Sequence, residues 1–178
     1  LLSLFSDSLV GITPQGWLRQ WNGEGKVSVA SWSDATQVLP KVNVLVFSPE
    51  DVGGDKGLME SYAQAAPLTV LTRGLKGAVL CQEGEIFYFP SRPAREIDPT
   101  GAGDVFAAAF LVRLEETEDP HEATRFANCV ASFSVEGPGV QSIPWRAQVD
   151  KWLADNPRWG HGKGGWGELM GPSPCEPG

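Results

Sequence analysis

The segment Gly101–Asp104 (Gly-Ala-Gly-Asp) constrains the fold of this chain more than any other stretch of its sequence. It leads directly into Val105–Leu111, an apolar run that reads as a buried helix. Small residues ahead of a helix let backbone N–H groups approach an anion closely, and the helix N-terminus adds a positive dipole end. The segment therefore predicts a turn that can bind a phosphate group, with the Asp104 carboxylate beside it.

The rest of the chain alternates strand patterns with helical patterns. Val42–Phe47 and Leu68–Thr72 are nearly continuous apolar runs, which is typical of parallel strands buried on both faces. The other predicted elements are a strand at Leu9–Ile12, a short helix at Gln15–Trp21, a hairpin formed by Ala78–Cys81 and Ile86–Phe89, and helices at Lys56–Ala66, Gly103–Leu114 and Pro120–Val135. This alternation predicts an α/β/α layered fold with a mostly parallel sheet.

Charge and composition exclude several classes of protein. The 178 residues carry a net charge of −8 and no cluster of Lys or Arg, which argues against a nucleic-acid or anionic-membrane partner. No apolar run has membrane-spanning length, and the opening segment Leu1–Phe5 lacks the basic flank of a signal peptide. Cys81, Cys129 and Cys175 are far apart, as expected for reduced thiols in a cytoplasmic protein.

The stretch Asp98–Asp104 resembles the C-terminal signature of the ribokinase/PfkB carbohydrate kinase family. In that signature an acidic residue, a Thr or Ser and one variable residue precede Gly-Ala-Gly-Asp. One departure is that Pro99 stands where the family usually has Thr or Ser. Further resemblance lies at Leu68–Ala78, at Glu122–Asn128, and at Gly137–Gly139 followed by Ser142–Pro144.

The resemblance covers about residues 7–152 and implies a ribokinase-like three-layer α/β/α fold. Residues 1–152 would be the C-terminal part of that domain, which binds the nucleotide and carries the catalytic groups. The family's N-terminal lid and substrate half are not found in the sequence, so we expect Leu9–Ile12 and Val42–Phe47 to be exposed. Residues 153–178 are rich in Gly, Pro and Trp and are expected to be an irregular tail.

The resemblance makes Asp104 the general base and Gly101, Ala102 and Gly103 an anion hole. Taken alone, Asp104 also fits a plain helix cap. The family's nucleotide-binding positions correspond to Thr72, Arg73, Gly74, Lys76, Gly77 and Asn128. Asn128 would lie beside the adenine, whereas an isolated Asn on a helix usually forms hydrogen bonds from the helix face.

Two cation sites are also implied by the resemblance. Asp98, Thr100 and Ser142, with carbonyl groups around residues 134–139, match the family's site for a monovalent cation such as K⁺. A solvated loop is the alternative. Ser48 and Asp51 stand where many relatives carry an Asn-x-x-Glu motif that supports Mg²⁺, and their shorter side chains suggest an indirect, water-mediated role for Asp51.

The activity implied by the resemblance is ATP-dependent phosphorylation of a sugar or nucleoside hydroxyl, with Mg²⁺ and K⁺ as cofactors. The Gly-Ala-Gly-Asp form and the Ser142–Pro144 segment favour this branch over a vitamin kinase of the same fold. A non-catalytic remnant that binds a nucleotide or a protein partner is another alternative. The expected partner is a small-molecule substrate, and a homodimer is left open.

Overall fold

Eight strands and five α-helices form the part of the chain that the computed structural model describes, namely residues 2–5, 7–157 and 161–168. The strands are β1 (Gly11–Ile12), β2 (Arg19–Trp21), β3 (Val27–Val29), β4 (Val44–Phe47), β5 (Leu68–Thr72), β6 (Ala78–Gln82), β7 (Glu85–Phe89) and β8 (Gly162–Lys163). The helices are α1 (Ala35–Val38), α2 (Lys56–Ala65), α3 (Ala102–Thr117), α4 (Pro120–Ser134) and α5 (Arg146–Asp155).

Six of the strands form one sheet in the order β1-β4-β5-β6-β7-β8. Strands β1, β4 and β5 are parallel to one another, and β6, β7 and β8 extend the sheet with antiparallel pairs. The β6–β7 hairpin turns at Glu83 and Gly84, which both have positive φ, as the tight turns favoured between twisted strands require. Strands β2 and β3 pair separately as an antiparallel ribbon.

Helices cover both faces of the sheet. Because side chains alternate along a strand, Leu45 and Phe47 face α1 and α2, whereas Val44 and Val46 face α3 and α4. Helix α5 packs on α4 through buried apolar side chains of both helices. The predicted three-layer α/β/α arrangement is confirmed. Within the described residues, no helix combines the length and hydropathy needed to cross a membrane.

The predicted helix at Gln15–Trp21 is wrong. The chain forms a short 3₁₀ turn at Pro14–Gly16 and then enters β2 of the ribbon. The ribbon is closed by a turn in which the Asn22 side chain accepts hydrogen bonds from the amides of Glu24 and Lys26. Pairing with β3 therefore overrides the local helical pattern.

The expected exposure of Val42–Phe47 is also wrong, because every apolar side chain of this segment is at most 3% exposed. Strand β4 lies between β1 and β5, and helices cover its two faces. The edge position belongs to β1, whose two residues are half-buried.

The C-terminal segment contributes to the sheet. Helix α5 ends at Asp155, and β8 then pairs with β7. The Tyr88 hydroxyl donates a hydrogen bond to the Gly165 carbonyl at 2.7 Å. The segment predicted to be irregular therefore includes a short strand, while residues 158–160 and 169–178 lie outside the described residues. The division into 1–152 and 153–178 stays a prediction.

Candidate active site

A cavity of about 660 Å³ opens where β4 and β5 end, beside the N-terminus of α3. Ser48 follows β4, Thr72 ends β5, and Gly101–Asp104 form the beginning of α3. In open α/β sheets the carboxyl ends of parallel strands and the N-termini of helices are the places that bind ligands. The cavity is therefore the natural candidate site of this fold.

Most of the predicted site residues meet at this cavity. Those that line it are Asp51, Thr72, Gly74, Gly77, Thr100, Gly101, Ala102, Gly103, Asp104 and Asn128. Arg73, Lys76, Asp98 and Ser142 do not line it. Their predicted contacts with phosphates or with a monovalent cation therefore stay predictions.

The turn before α3 presents free backbone amides. Gly101 has φ 78° and ψ 0°, a left-handed conformation that glycine adopts without strain. The Ala102 amide donates to the Pro99 carbonyl at 3.1 Å. The amides of Gly101, Gly103 and Asp104 have no acceptor in the described part of the chain, so these three are available to an anion.

Asp104 lies where two cavities meet. Its exposed side chain is in the first turn of α3 and lines the large cavity. It also lines a second cavity of about 220 Å³, which lies between β1 and α3 and includes Thr13 and Ala108. A carboxylate in this position can contact groups bound on either side.

The loop after β5 lines the cavity with uncharged residues. Gly77 has φ 89°, and a Cβ atom there would collide with the Phe89 carbonyl, so only glycine fits. The Arg73 guanidinium instead lies 5.7 Å from the centroid of the Tyr88 ring, and burial lowers the pKa of Arg73. The loop therefore reaches the cavity through Thr72, Gly74, Leu75 and Gly77 and not through its cations.

Asn128 joins α4 to the segment that follows β7. Its side chain is buried, and its amide group donates to the carbonyls of Phe89 at 3.1 Å and Pro90 at 2.8 Å. Both amide hydrogens are used in these bonds. The residue thus has a structural role that sequence reasoning gave only as the alternative, and it lines the cavity as well.

Asp98 organises the loop proposed for a monovalent cation. One carboxylate oxygen accepts from the Thr100 amide at 3.0 Å and the other from the Gly139 amide at 2.9 Å. These bonds, that from Gly139 foremost, lower the pKa of Asp98. Ser142 lies against Gly137, where a Cβ atom would collide with its hydroxyl. The available donors are oxygen atoms, the kind that a hard cation prefers.

Asp51 is held by its neighbours on the protein. One of its oxygens accepts from the Ser48 amide at 2.8 Å and from the Ser48 hydroxyl at 2.9 Å. The other accepts from the side-chain Nε2 of Gln15 at 3.3 Å and lies 3.7 Å from Nη2 of Arg19. Within the described residues, no three His, Cys, Asp or Glu side chains form a cluster suited to a metal ion.

A family model decides the kinship of the chain. The model for the pfkB family of carbohydrate kinases matches residues 32–147, more than half of the sequence. The chain belongs to this family. The matched residues include the whole lining of the large cavity except Thr13, Gln15 and Gly16. The predicted family is therefore confirmed.

Individual pfkB relatives agree with this assignment. The ribokinase of Bacillus subtilis is 41% identical over 98 residues, which are 54% of this chain and 33% of that enzyme. A ribokinase structure from Thermotoga maritima aligns with a TM-score of 0.64 at 25% identity, covering 83% of this chain and 50% of that one. A fructokinase structure from Vibrio cholerae, solved with fructose, ADP and calcium, aligns with a TM-score of 0.58 at 26% identity. This alignment covers 68% of this chain and 46% of that one.

The chain thus spans about a third of the Bacillus subtilis enzyme and half of the Thermotoga maritima chain.

Glu96, which sequence reasoning did not predict as a site residue, also lines the large cavity. The acidic side chains there are Asp51, Glu96 and Asp104, and no Lys or Arg is among the described lining residues. An anion bound in the cavity would therefore meet free backbone amides but no cationic side chain of the described lining.

Proposed function

We propose that the chain is the nucleotide-binding and catalytic part of an ATP-dependent kinase that phosphorylates a hydroxyl group of a sugar or nucleoside. The observation that carries this proposal is the position of Asp104. Its carboxylate lies between the two cavities, beside three backbone amides that have no acceptor in the described part of the chain. One cavity would hold the nucleotide, and the other would receive the acceptor hydroxyl.

In the proposed reaction, the acceptor oxygen attacks the γ-phosphorus of ATP as its proton passes to the Asp104 carboxylate. The bond from the γ-phosphorus to the bridging oxygen breaks, and ADP leaves with that electron pair. The amides of Gly101, Gly103 and Asp104 would donate hydrogen bonds to the transferred phosphoryl group, where charge shifts in the transition state. Since phosphoryl transfer depends mainly on positioning and charge stabilisation, a carboxylate at position 104 is a sufficient base.

Mg²⁺ and K⁺ are part of this proposal. Mg²⁺ bound to the nucleotide would neutralise phosphate charge, and Asp51, which is held by Ser48 and Gln15, would act on it through water. The Asp98 loop, with Thr100 and Ser142, would hold K⁺ and so fix the turn that aims the amides. The Vibrio cholerae fructokinase, with ADP and calcium bound, supports a nucleotide and a divalent cation at a site of this kind. A cytoplasmic location and a homodimer remain predictions.

The test is the substitution Asp104→Asn, made both in the 178-residue chain and in the complete protein. Asn keeps the volume of the side chain but removes the proton acceptor. We expect calorimetry to show MgATP binding that is nearly unchanged, and ADP formation with sugar or nucleoside acceptors to fall about 10²- to 10⁴-fold.

The control is Asp55→Asn, because Asp55 caps α2 by accepting from the Leu58 amide and does not line the cavity. It should leave turnover unchanged. Normal turnover in Asp104→Asn would show that Asp104 is not the base. A folded wild-type chain that does not bind MgATP would contradict the nucleotide site.

A further inference from the structure

The ribbon formed by β2 and β3 has one face that carries Arg19, Trp21, Val27 and Val29. Arg19 pairs with Val29 and Trp21 pairs with Val27, and alternate residues of a strand point to the same side. The ends of the ribbon are attached to the protein core, since Leu18 is fully buried and its carbonyl accepts a hydrogen bond from the Ala30 amide at 2.9 Å. The orientation of this face is therefore set by the protein core.

The end of this face that carries Arg19 and Val29 lies beside the part of the large cavity that Asp51 lines. Nη2 of Arg19 lies 3.7 Å from the carboxylate of Asp51, which lines the cavity. Val29 lies 3.4 Å from the position that a Cβ atom on Gly53 would occupy. The ribbon therefore runs along the turn Pro49–Val52, which follows strand β4.

The Arg19 guanidinium is available for another partner. Its distance from Asp51 exceeds that of a hydrogen bond, and its side chain makes none with the described residues. The side chain is 46% exposed, and ion pairs of that kind contribute little to stability. Asp51 already accepts bonds from Ser48 and Gln15, so it does not depend on Arg19.

The charge balance of the cavity favours a phosphate as that partner. Three carboxylates and no described Lys or Arg line the cavity, whereas a nucleotide brings several negative charges. Arg73 packs on the Tyr88 ring and Lys76 is off the lining. A guanidinium matches the geometry of phosphate oxygens and binds them through paired hydrogen bonds.

We propose that Arg19 is a phosphate-contacting residue, carried by the ribbon to the β4 end of the cavity, where it leaves Asp51 and binds the polyphosphate of the nucleotide. This contact presupposes the nucleotide site proposed above. The ribbon ends at Val29, before residue 32, where the match to the pfkB family model begins. The contact is thus a property of this chain that the family match does not assign.

The test compares MgATP with adenosine, which lacks phosphate, by calorimetry on the chain and on its Arg19→Gln variant. We expect the variant to bind MgATP about 10- to 100-fold more weakly, the usual effect of losing a hydrogen bond to a charged group. Its affinity for adenosine should not change. Arg19→Lys should recover part of the loss, because the charge remains while the paired geometry is lost.

Lys26→Gln is the matched control, since it removes the same charge from the same ribbon about 10 Å closer to the turn that joins β2 and β3. Lys26 lies in the exposed turn and should leave both affinities unchanged. A wild-type chain that binds neither ligand refutes the nucleotide site itself. Wild-type MgATP binding that Arg19→Gln leaves intact refutes the Arg19 contact alone, as does an equal loss of affinity for MgATP and adenosine.

Discussion

At the scale of single residues, Asn128 shows how one side chain can both line a site and hold it together. Its amide group reaches from α4 to two consecutive carbonyls, those of Phe89 and Pro90, and only 4% of the residue is exposed. The same segment passes over Gly77, where any side chain would collide with the Phe89 carbonyl. The wall of the cavity therefore depends on Asn128 even without a nucleotide.

We expect Asn128→Ala to lower the free energy of unfolding by about 1–3 kcal/mol, because two carbonyls lose a buried donor. Asn128→Asp should cost more, since a carboxylate of the same shape would face two carbonyl oxygens. Urea denaturation without nucleotide measures both. If both variants unfold at the wild-type midpoint, the hydrogen bonds to Phe89 and Pro90 contribute nothing to stability.

At the scale of elements, the docking of β8 on β7 depends on an imidazole. The His161 ring is stacked on Phe89 at 4.9 Å and lies 4.6 Å from the His121 ring. Burial and then the neighbouring His121 lower the pKa of His161, and Asp119 opposes them in part. The neutral form of His161 is therefore the one that favours docking.

This makes the attachment of β8 dependent on pH. In the undocked segment the pKa of His161 is higher, near 6.5, than in the docked one. The undocked state therefore binds more protons, and docking is strongest above that pH. Docking should weaken as the pH falls below about 6.5 toward the lower pKa of the folded state. The hydrogen-exchange protection factor of the Gly164 amide, which donates to the Ile86 carbonyl next to β8, measures this when it is compared at about pH 8 and about pH 5. His161→Phe should abolish the difference, and equal protection in the wild-type chain would contradict the prediction.

At the scale of the whole molecule, the surface combines a net negative charge with an open sheet edge. Strand β1 pairs with β4 on one side and has no partner strand on the other within the described residues. The ribbon adds Trp21, Val27 and Val29, which are 73%, 56% and 45% exposed. Open edges and apolar faces promote association, whereas a charge of −8 opposes it.

We expect the isolated 178-residue chain to associate in solution through its sheet edge. Light scattering over a range of concentrations should show oligomers, and added salt should increase them because it screens the mutual repulsion of the chains. A dispersed monomer at every concentration and salt level would show that the edge is self-contained.

The sequence predicted the parts of the site that depend on neighbours along the chain. Gly101 and Asp104 are placed by a local turn and a helix start, and Thr72 ends a strand that its own apolar residues define. The direction of Arg73 could not be predicted, because Tyr88 of a later strand attracts its guanidinium. Arg19 was missed for a similar reason, since its segment becomes a strand by pairing with β3.

The hydrogen bond between Leu18 and Ala30 has a consequence for how such a protein can diversify. The two ends of the ribbon lie at neighbouring backbone positions, so the ribbon is an insertion with closely spaced ends. An insertion of this kind can be gained, lengthened or lost while every strand of the main sheet keeps its register. The charge of the Arg19 guanidinium can therefore evolve independently of the scaffold that holds Asp104.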